Sequence, residues 1–323
     1  MVEQVPKKKI TELSKQIGQL PYLELFAFRE VEQQRRIVWT EALLMKNFHE
    51  KGGAVLAIND DDGLVGIAGV RPLAFDTEHF GKKIGRIGPF HLSERATRGQ
   101  ARELIRGCLD YLTDQGCVFV DVRTPTADLN VARALERASF YLGDTQVDYA
   151  YRVKGGTLPS IRHRVKLRWA KLEDRDELAA MTRETFDGYI DRFHGDDFFD
   201  PEKATDMYVK WLINSLEEGL ADKILVAQAG KRIGGFLTLQ IRHEQNKFVN
   251  VKMAEGVLAG VAPWTRGRGV YTSLLAGCLP WFADNVNIGI VVTHVDNIAV
   301  QNAWAGLGYR LVQGRYTFHW RKR

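Results

Sequence analysis

Val261-Ala262-Pro263-Trp264-Thr265-Arg266-Gly267-Arg268-Gly269-Val270-Tyr271 follows a strand-like run at 254–261 and leads into a helical pattern over 271–285. A strand that runs straight into Arg-x-Arg-Gly and then into a helix presents unpaired backbone N–H groups at a positive helix end, where a pyrophosphate binds best. Gly267 and Gly269 let the backbone approach such a group, and Arg266 and Arg268 add charge. A bare Gly-x-Gly is common in surface turns, so the weight of the reading rests on its surroundings.

Working outward, the spacing predicts strands at 165–169 and 288–295, and a hairpin pairing 224–229 with 233–241 across Gly230-Lys231-Arg232. Helices are expected from Glu173-Asp174 through Thr185, from Pro201 to Glu218, and from Ala299 to Leu307. The first half repeats the succession. A hairpin joins 54–58 to 64–70, strands fall at 85–90 and 118–123, and helices at 98–115 and 130–139. Between the halves, Lys154-Gly155-Gly156-Thr157-Leu158-Pro159-Ser160 combines turn formers without an apolar period. We therefore expect two domains, 1–155 and 156–323, both mixed α/β and related by an internal duplication. A chain of 323 residues suits two domains, because single cores stop growing beyond roughly 250 residues.

With 45% apolar and 26% charged residues, the composition is that of a globular protein with a sizeable core. The formal charge of +5 fits a small ligand carrying several phosphates better than nucleic acid, because the dense basic runs, Lys7-Lys8-Lys9 and Arg321-Lys322-Arg323, are terminal. Cys108, Cys117 and Cys278 are odd in number and widely spaced, which argues against a disulfide framework or a metal site and for a reducing, cytoplasmic setting. No apolar run reaches the roughly 18 residues of a membrane span, and no secretory leader is recognisable.

The turn resembles the Q/R-x-x-G-x-G/A signature of the GNAT superfamily of N-acetyltransferases, with Arg266 and Gly269 at its first two fixed positions. Downstream, Asn297-x-x-Val300-x-x-x-Trp304-x-x-x-Gly308-Tyr309 is similar to the family's closing element. The resemblance implies tandem GNAT folds, each a mixed central sheet flanked by helices, and an acyl-CoA co-substrate with no metal. It implies a pantetheine arm lying in a V between two splayed strands. Ala259, Gly260, Val261 and Asn297 would then line the arm, Arg266, Gly267, Arg268, Gly269, Val270 and Tyr271 would surround the pyrophosphate, and Asn302 and Trp304 would complete the cofactor wall. Two positions depart from the pattern. Tyr271 stands at the third glycine position, and Trp304 stands where many members carry a tyrosine that protonates the departing thiolate. Indole N–H is no practical acid, so Tyr271 or a water takes that role, or the thiolate leaves unprotonated.

The first half is similar to the same superfamily through Phe75-Asp76-Thr77-Glu78-His79-Phe80-Gly81 and Ile84-Gly85-Arg86-Ile87, segments that resemble nucleotide-sugar acetyltransferases of the dTDP-fucosamine type. Its counterpart of the phosphate turn, Leu92-Ser93-Glu94-Arg95-Ala96-Thr97-Arg98-Gly99, lacks the glycine spacing and carries an acid, which marks a degenerate, structural copy. In the second half, Asp191-Arg192-Phe193-His194-Gly195-Asp196-Asp197-Phe198-Phe199 and Tyr208-x-x-Trp211 resemble the acceptor side of those sugar enzymes, which nominates Asp191, Arg192, His194 and Tyr208 for the acceptor.

An amine attacks a thioester only when neutral, so a proton acceptor is required. Glu255, eleven residues before Arg266, has the spacing of the catalytic glutamate in histone acetyltransferases, and His294 on the next strand is the reserve base. The Val261 N–H would hold the tetrahedral oxyanion. The expected activity is transfer of acetyl, or a small acyl such as 3-hydroxybutyryl, to the amine of a dTDP-linked 3- or 4-amino-dideoxy sugar for cell-surface polysaccharide. A peptide, amine or antibiotic acceptor is the alternative, and a non-catalytic acyl-CoA or nucleotide binding module is the reading from another class. Oligomeric state stays open.

Overall fold

The computed structural model describes residues 1–153, 158, 165–189 and 191–322. The expected linker at 154–160 lies outside the described residues except for Leu158. The chain forms two compact units, but they do not divide at 155. The first comprises Met1–Gln146, Phe248–Asn250 and Gln313–Arg323, and the second Val147–Lys247 and Val251–Val312. The difference has a simple cause. Each unit's strand order is completed by a strand from outside its own half of the sequence or from its edge, and neither completing strand carries the alternating apolar pattern that marks the others.

In the first unit, β1 (Val2–Gln4), β2 (Ala54–Asp60), β3 (Gly63–Pro72) and β4 (Ile84–Leu92) form antiparallel pairs in sequence order. β4 then pairs in parallel with β5 (Phe119–Pro125), against which the last strand of the chain, β12 (Arg310–Arg321), lies antiparallel. One face carries α1 (Ser14–Ile17) and α2 (Gln33–Lys46), whose Ile17, Ile37 and Leu44 pack with Val55, Ala57 and Ile67. α3 (Ala74–Phe80) links β3 to β4, and Gly81 ends it in the left-handed region at φ 69°. The other face carries α4 (Arg98–Asp114) and α5 (Leu129–Arg137), which bury Leu104, Ile105, Leu112 and Leu135 against Leu56, Ala68 and Val120. Both helices begin on side-chain caps: Thr97 and Gln100 form a reciprocal capping box, and Asp128 accepts from the Val131 N–H.

The second unit repeats this plan. β7 (Lys166–Trp169), β8 (Lys223–Ala229), β9 (Arg232–Ile241) and β10 (Met253–Val261) are antiparallel neighbours, β10 pairs in parallel with β11 (Ile288–His294), and the end of β6 (Tyr141–Arg152) follows β11. α6 (Arg175–Phe186) and α7 (Pro201–Glu217) cover Ile224, Val226, Phe236 and Leu258. α9 (Val270–Asn285) and α10 (Ile298–Gly306) cover the alternate residues Leu225, Ala227, Leu237 and Leu239 on the opposite face. α7 starts at Pro201 behind the Asp200 cap. The short α8 (His243–Asn246) lies between β9 and β10. The fold class is thus the expected mixed α/β one, in two copies. No helix of the described residues is long and apolar enough to cross a membrane. The three cysteines are buried and unpaired.

Candidate active site

The parallel ladder between β10 and β11 runs from Met253↔Ile288 to Gly256↔Val291 and stops there. Beyond Gly256, β10 stays paired only with β9, and the register slips by a bulge between Gly256 and Ala259. The bulge is held by a buried side chain. Thr238 Oγ1 accepts from the Leu258 N–H at 2.9 Å and donates to the Leu258 carbonyl at 3.3 Å, 1% exposed. Past the bulge, Ala262 N–H donates to Gly234 at 3.0 Å, so by alternation the polar groups of Gly260 also turn toward β9. Those of Ala259 and Val261 turn the other way, to the side where the ladder with β11 has ended. A Cβ on Gly260 would come within 2.7 Å of the Phe236 ring, so that glycine serves close packing.

β10 runs through the turn Pro263–Thr265 into α9. Gly267 and Gly269 have φ of 75° and 76°, left-handed values that cost an L side chain strain. Gly269 is the N-cap of α9 and offers no side-chain cap, so no N-cap side chain covers the N–H groups of the first turn. The contrast with α4 is direct, since Thr97 and Gln100 fill the same positions there. Arg266 lies exposed, its Nε 3.4 Å from the Val261 carbonyl and its Nη2 3.4 Å from that of Thr185. Arg268 lines a cavity of about 520 Å³ with Lys166, Gln228, Trp264 and Thr265 on the β8–β9 side of the turn. Val270 is buried.

On the α9–α10 face, Asn297 stands at the N-cap position of α10 without a side-chain cap bond, and its Nδ2 donates to Thr293 Oγ1 at 3.0 Å. Asn302 is exposed on α10. Trp304 is 1% exposed, and its Nε1–H donates to the Tyr271 hydroxyl at 2.9 Å. Burial pushes the Tyr271 phenol up from its usual value, against the pull of that indole N–H.

The other face of the V carries the candidate bases. Glu255 is ion-paired with Arg242, with its side chain 14% exposed. His294, at the end of β11, lies 3.8 Å through Nδ1 from Asp296 and meets the Tyr189 ring edge-on at 6.1 Å. Tyr189 in turn packs on Phe186 and Tyr208, which stack at 4.2 Å. Tyr208 donates its hydroxyl to Asp191 Oδ2. Asp191 Oδ1 accepts from the N–H groups of Phe193 and His194, both at 2.8 Å, and lies 3.0 Å from His194 Nδ1. His194 Nε2 reaches Thr205 Oγ1 at 3.0 Å. Burial works to raise Asp191, but the bonds from His194 and Tyr208 outweigh it and hold the carboxyl below its usual range. Asp191, His194 and Tyr208 therefore spend these polar contacts on one another and on the α6–α7 loop. Arg192 lies over the Phe193 ring at 4.2 Å.

The structure thus gathers the turn, Asn297, Trp304 and Tyr271 on one side of the V and Glu255 and His294 on the other. Sequence reasoning misses Thr238, Tyr189 and Arg242. A lone threonine inside the apolar run Phe236-Leu237-Thr238-Leu239 is the one signal that could have found the bulge. Among the described residues no group of His, Cys, Asp and Glu could hold a metal ion.

The first unit has a parallel ladder that ends at the corresponding point, with different side chains around it. Its β4–β5 ladder ends at Ile87↔Val122, and the position matching Glu255 by register is Arg86, which donates through Nε and Nη2 to Asp121 at 2.6 and 2.5 Å. Burial opposes the Arg86 charge, and Asp121 more than offsets it.

No protein-family model and no curated protein matches the chain. Solved structures do. A GCN5-related N-acetyltransferase from Sphaerobacter thermophilus aligns over 99% of this chain and 95% of its own, with TM-score 0.65 and 12% identity. The glucosamine N-acetyltransferase region of a fungal multi-domain GH3 β-N-acetylglucosaminidase aligns over 99% of this chain and 38% of that one, with TM-score 0.62 and 14% identity. A tandem GNAT protein from the clavulanic acid biosynthesis pathway, solved without AcCoA, aligns over 99% and 98%, with TM-score 0.58 and 12% identity. At such identities the likeness establishes the fold, and the fold is that of GCN5-related N-acetyltransferases, tandem members included.

Proposed function

We propose that the protein is an acyl-CoA-dependent N-acyltransferase whose second unit carries the chemistry. The observation that carries the reading is the uncapped start of α9 at Gly269, placed where the β10–β11 ladder has opened. In this reading the N–H groups from Gly267 to Tyr271, with Arg266 and Arg268, hold the CoA pyrophosphate. The pantetheine amides pair with the backbone groups of Ala259 and the N–H of Val261, with Asn297 alongside and Asn302 on the α10 wall, Trp304 lying buried behind it. The Val261 N–H faces the carbonyl oxygen as it becomes an oxyanion.

His294 takes the proton of the attacking amine. Glu255 already shares its charge with Arg242, so a proton arriving there would disrupt that pair; we give Glu255 the role of drawing in the cationic amine. Tyr271 donates its hydroxyl to the departing sulfur. A phenol raised above its usual pKa is a poor proton source for a thiol of pKa ~8.5, but a hydrogen bond to the thiolate suffices. The first unit, with Arg86 and Asp121 near the end of its parallel ladder and Thr97 in its turn, is read as structural.

For the acceptor we propose the amino group of a dTDP-linked 3- or 4-amino-dideoxy sugar, with acetyl or 3-hydroxybutyryl as the acyl group, in the cytoplasmic assembly of surface polysaccharide. Support comes from the aromatic wall of Tyr189 and Tyr208, which suits a sugar or base face, from Arg192 as a diphosphate ligand, and from the Asp191–His194–Tyr208 bonds that fix the loop. A structural neighbour named as a glucosamine N-acetyltransferase region also points to an amine on a sugar ring. Thermal-shift titration separates the parts: acyl-CoA raises the melting temperature if the cofactor assignment holds, and dTDP raises it further if the acceptor assignment holds.

A further inference from the structure

Trp304 has one polar side-chain atom and uses it in the interior. The indole is 1% exposed, packs at 5.2 Å on the Tyr149 ring, and donates Nε1–H to the Tyr271 hydroxyl oxygen at 2.9 Å. Tyr271 is partly accessible, two residues past the left-handed Gly269 in the first turn of α9. Conjugation keeps a phenolic O–H in the plane of its ring, which leaves two orientations. A donor that occupies one side of the oxygen excludes the orientation that would bring two hydrogens together. The Tyr271 proton is therefore confined to the side away from Trp304. An accepted bond also polarises the O–H that donates onward, so the two bonds reinforce each other.

We propose that Trp304 is a positioning residue, whose indole N–H aims the Tyr271 hydroxyl proton at the leaving sulfur of acyl-CoA. This rests on the acyl-transfer reading above. The amine forms its bond to the thioester carbon and passes its proton to His294. The carbon–sulfur bond then breaks with its electron pair on sulfur, and the Tyr271 O–H hydrogen-bonds to that thiolate. CoA leaves and is protonated by water, while His294 returns its proton to solvent. No further reactant is needed. The indole takes part only through Tyr271, from its buried position behind the proposed cofactor site, and does not itself act as an acid.

The test is a double-variant cycle on thiol release. Replacing Trp304 by benzothienylalanine keeps the ring volume and removes the N–H. It should lower kcat about tenfold while leaving KM for acyl-CoA within about twofold. Tyr271→Phe should cost about a hundredfold in kcat. Combining the two should cost no more than Tyr271→Phe alone, because the indole acts through that hydroxyl. Tyr271→Phe with Trp304→Tyr should recover part of the rate by returning a hydroxyl from the other helix. Full activity of the benzothienylalanine protein, or an equal loss in the Tyr271→Phe background, would overturn the positioning role while leaving acyl transfer intact. A wild-type protein that releases no thiol with any amine would overturn both.

Discussion

Thr238 and Leu258 are joined by two hydrogen bonds through a single hydroxyl, 2.9 Å from the Leu258 N–H and 3.3 Å from its carbonyl oxygen. This pair holds the bulge that turns β10 away from β11. Thr238→Val keeps the volume and leaves both Leu258 groups unsatisfied in the interior, which should cost about 1–3 kcal/mol. We expect a lower midpoint in chemical denaturation and a weaker affinity for acyl-CoA, with Thr238→Ser close to wild type. A valine variant with unchanged stability and affinity would show that the bulge does not depend on this hydroxyl.

Gly267 and Gly269 are both left-handed, but their surroundings predict different outcomes. A Cβ on Gly267 would meet nothing within 4 Å, so Gly267→Ala should add backbone strain of about 1–2 kcal/mol and little else. Gly269 caps the helix whose N–H groups would face the pyrophosphate. Gly269→Val should weaken CoA binding at least about tenfold, beyond any loss of stability, when affinity is measured by calorimetry. CoA affinity in Gly269→Val equal to that of the wild type would remove the turn from the cofactor site.

Replacing His294 by Gln should lower kcat by about two orders of magnitude and leave CoA affinity unchanged, since the imidazole packs against Tyr189 of the proposed acceptor wall. Glu255→Gln should act mainly on KM for the amine. Steady-state kinetics with both substrates varied reads the split, and the reverse pattern would return the base to Glu255.

His91 gives the first unit a dependence on pH. It is 4% exposed on β4, and burial pushes it down from 6.5 to about 4. The folded state thus favours the neutral ring, and the unfolded chain binds the proton first as pH falls. The contribution is whole above pH 6.5 and is lost progressively toward pH 4, on the order of 3 kcal/mol in all. Unfolding free energy measured across that window should fall with pH in the wild type and less steeply in His91→Gln. Parallel curves would show that this ring is not the source.

The turn was legible because glycine spacing, flanking arginines and a strand-to-helix junction carry one physical meaning together. The central strands and α9 were legible for a similar reason, since their apolar periods match what they bury. Three elements were not. α2 places Thr40 and Glu41 on the buried face between Ile37 and Leu44, which breaks its apolar stripe. β6 buries Asp144 and Asp148, and β12 buries Thr317 and His319, so neither alternates in hydrophobicity. These two complete the strand order of the two units, which divide within them, whereas the expected boundary at 155 rested on the turn formers of 154–160. In the site, pairings across the sheet such as Arg242 with Glu255 and Tyr189 with His294 depend on register and loop course, which residue spacing does not encode.

The most direct test of acyl transfer at the Gly269 turn is release of free thiol from acetyl-CoA and 3-hydroxybutyryl-CoA in the presence of dTDP-linked amino sugars. Amine-dependent thiol release by the wild type, abolished in Gly269→Val, is the predicted result. Thiol release that survives in Gly269→Val, or none by the wild type with any amine supplied, would contradict it.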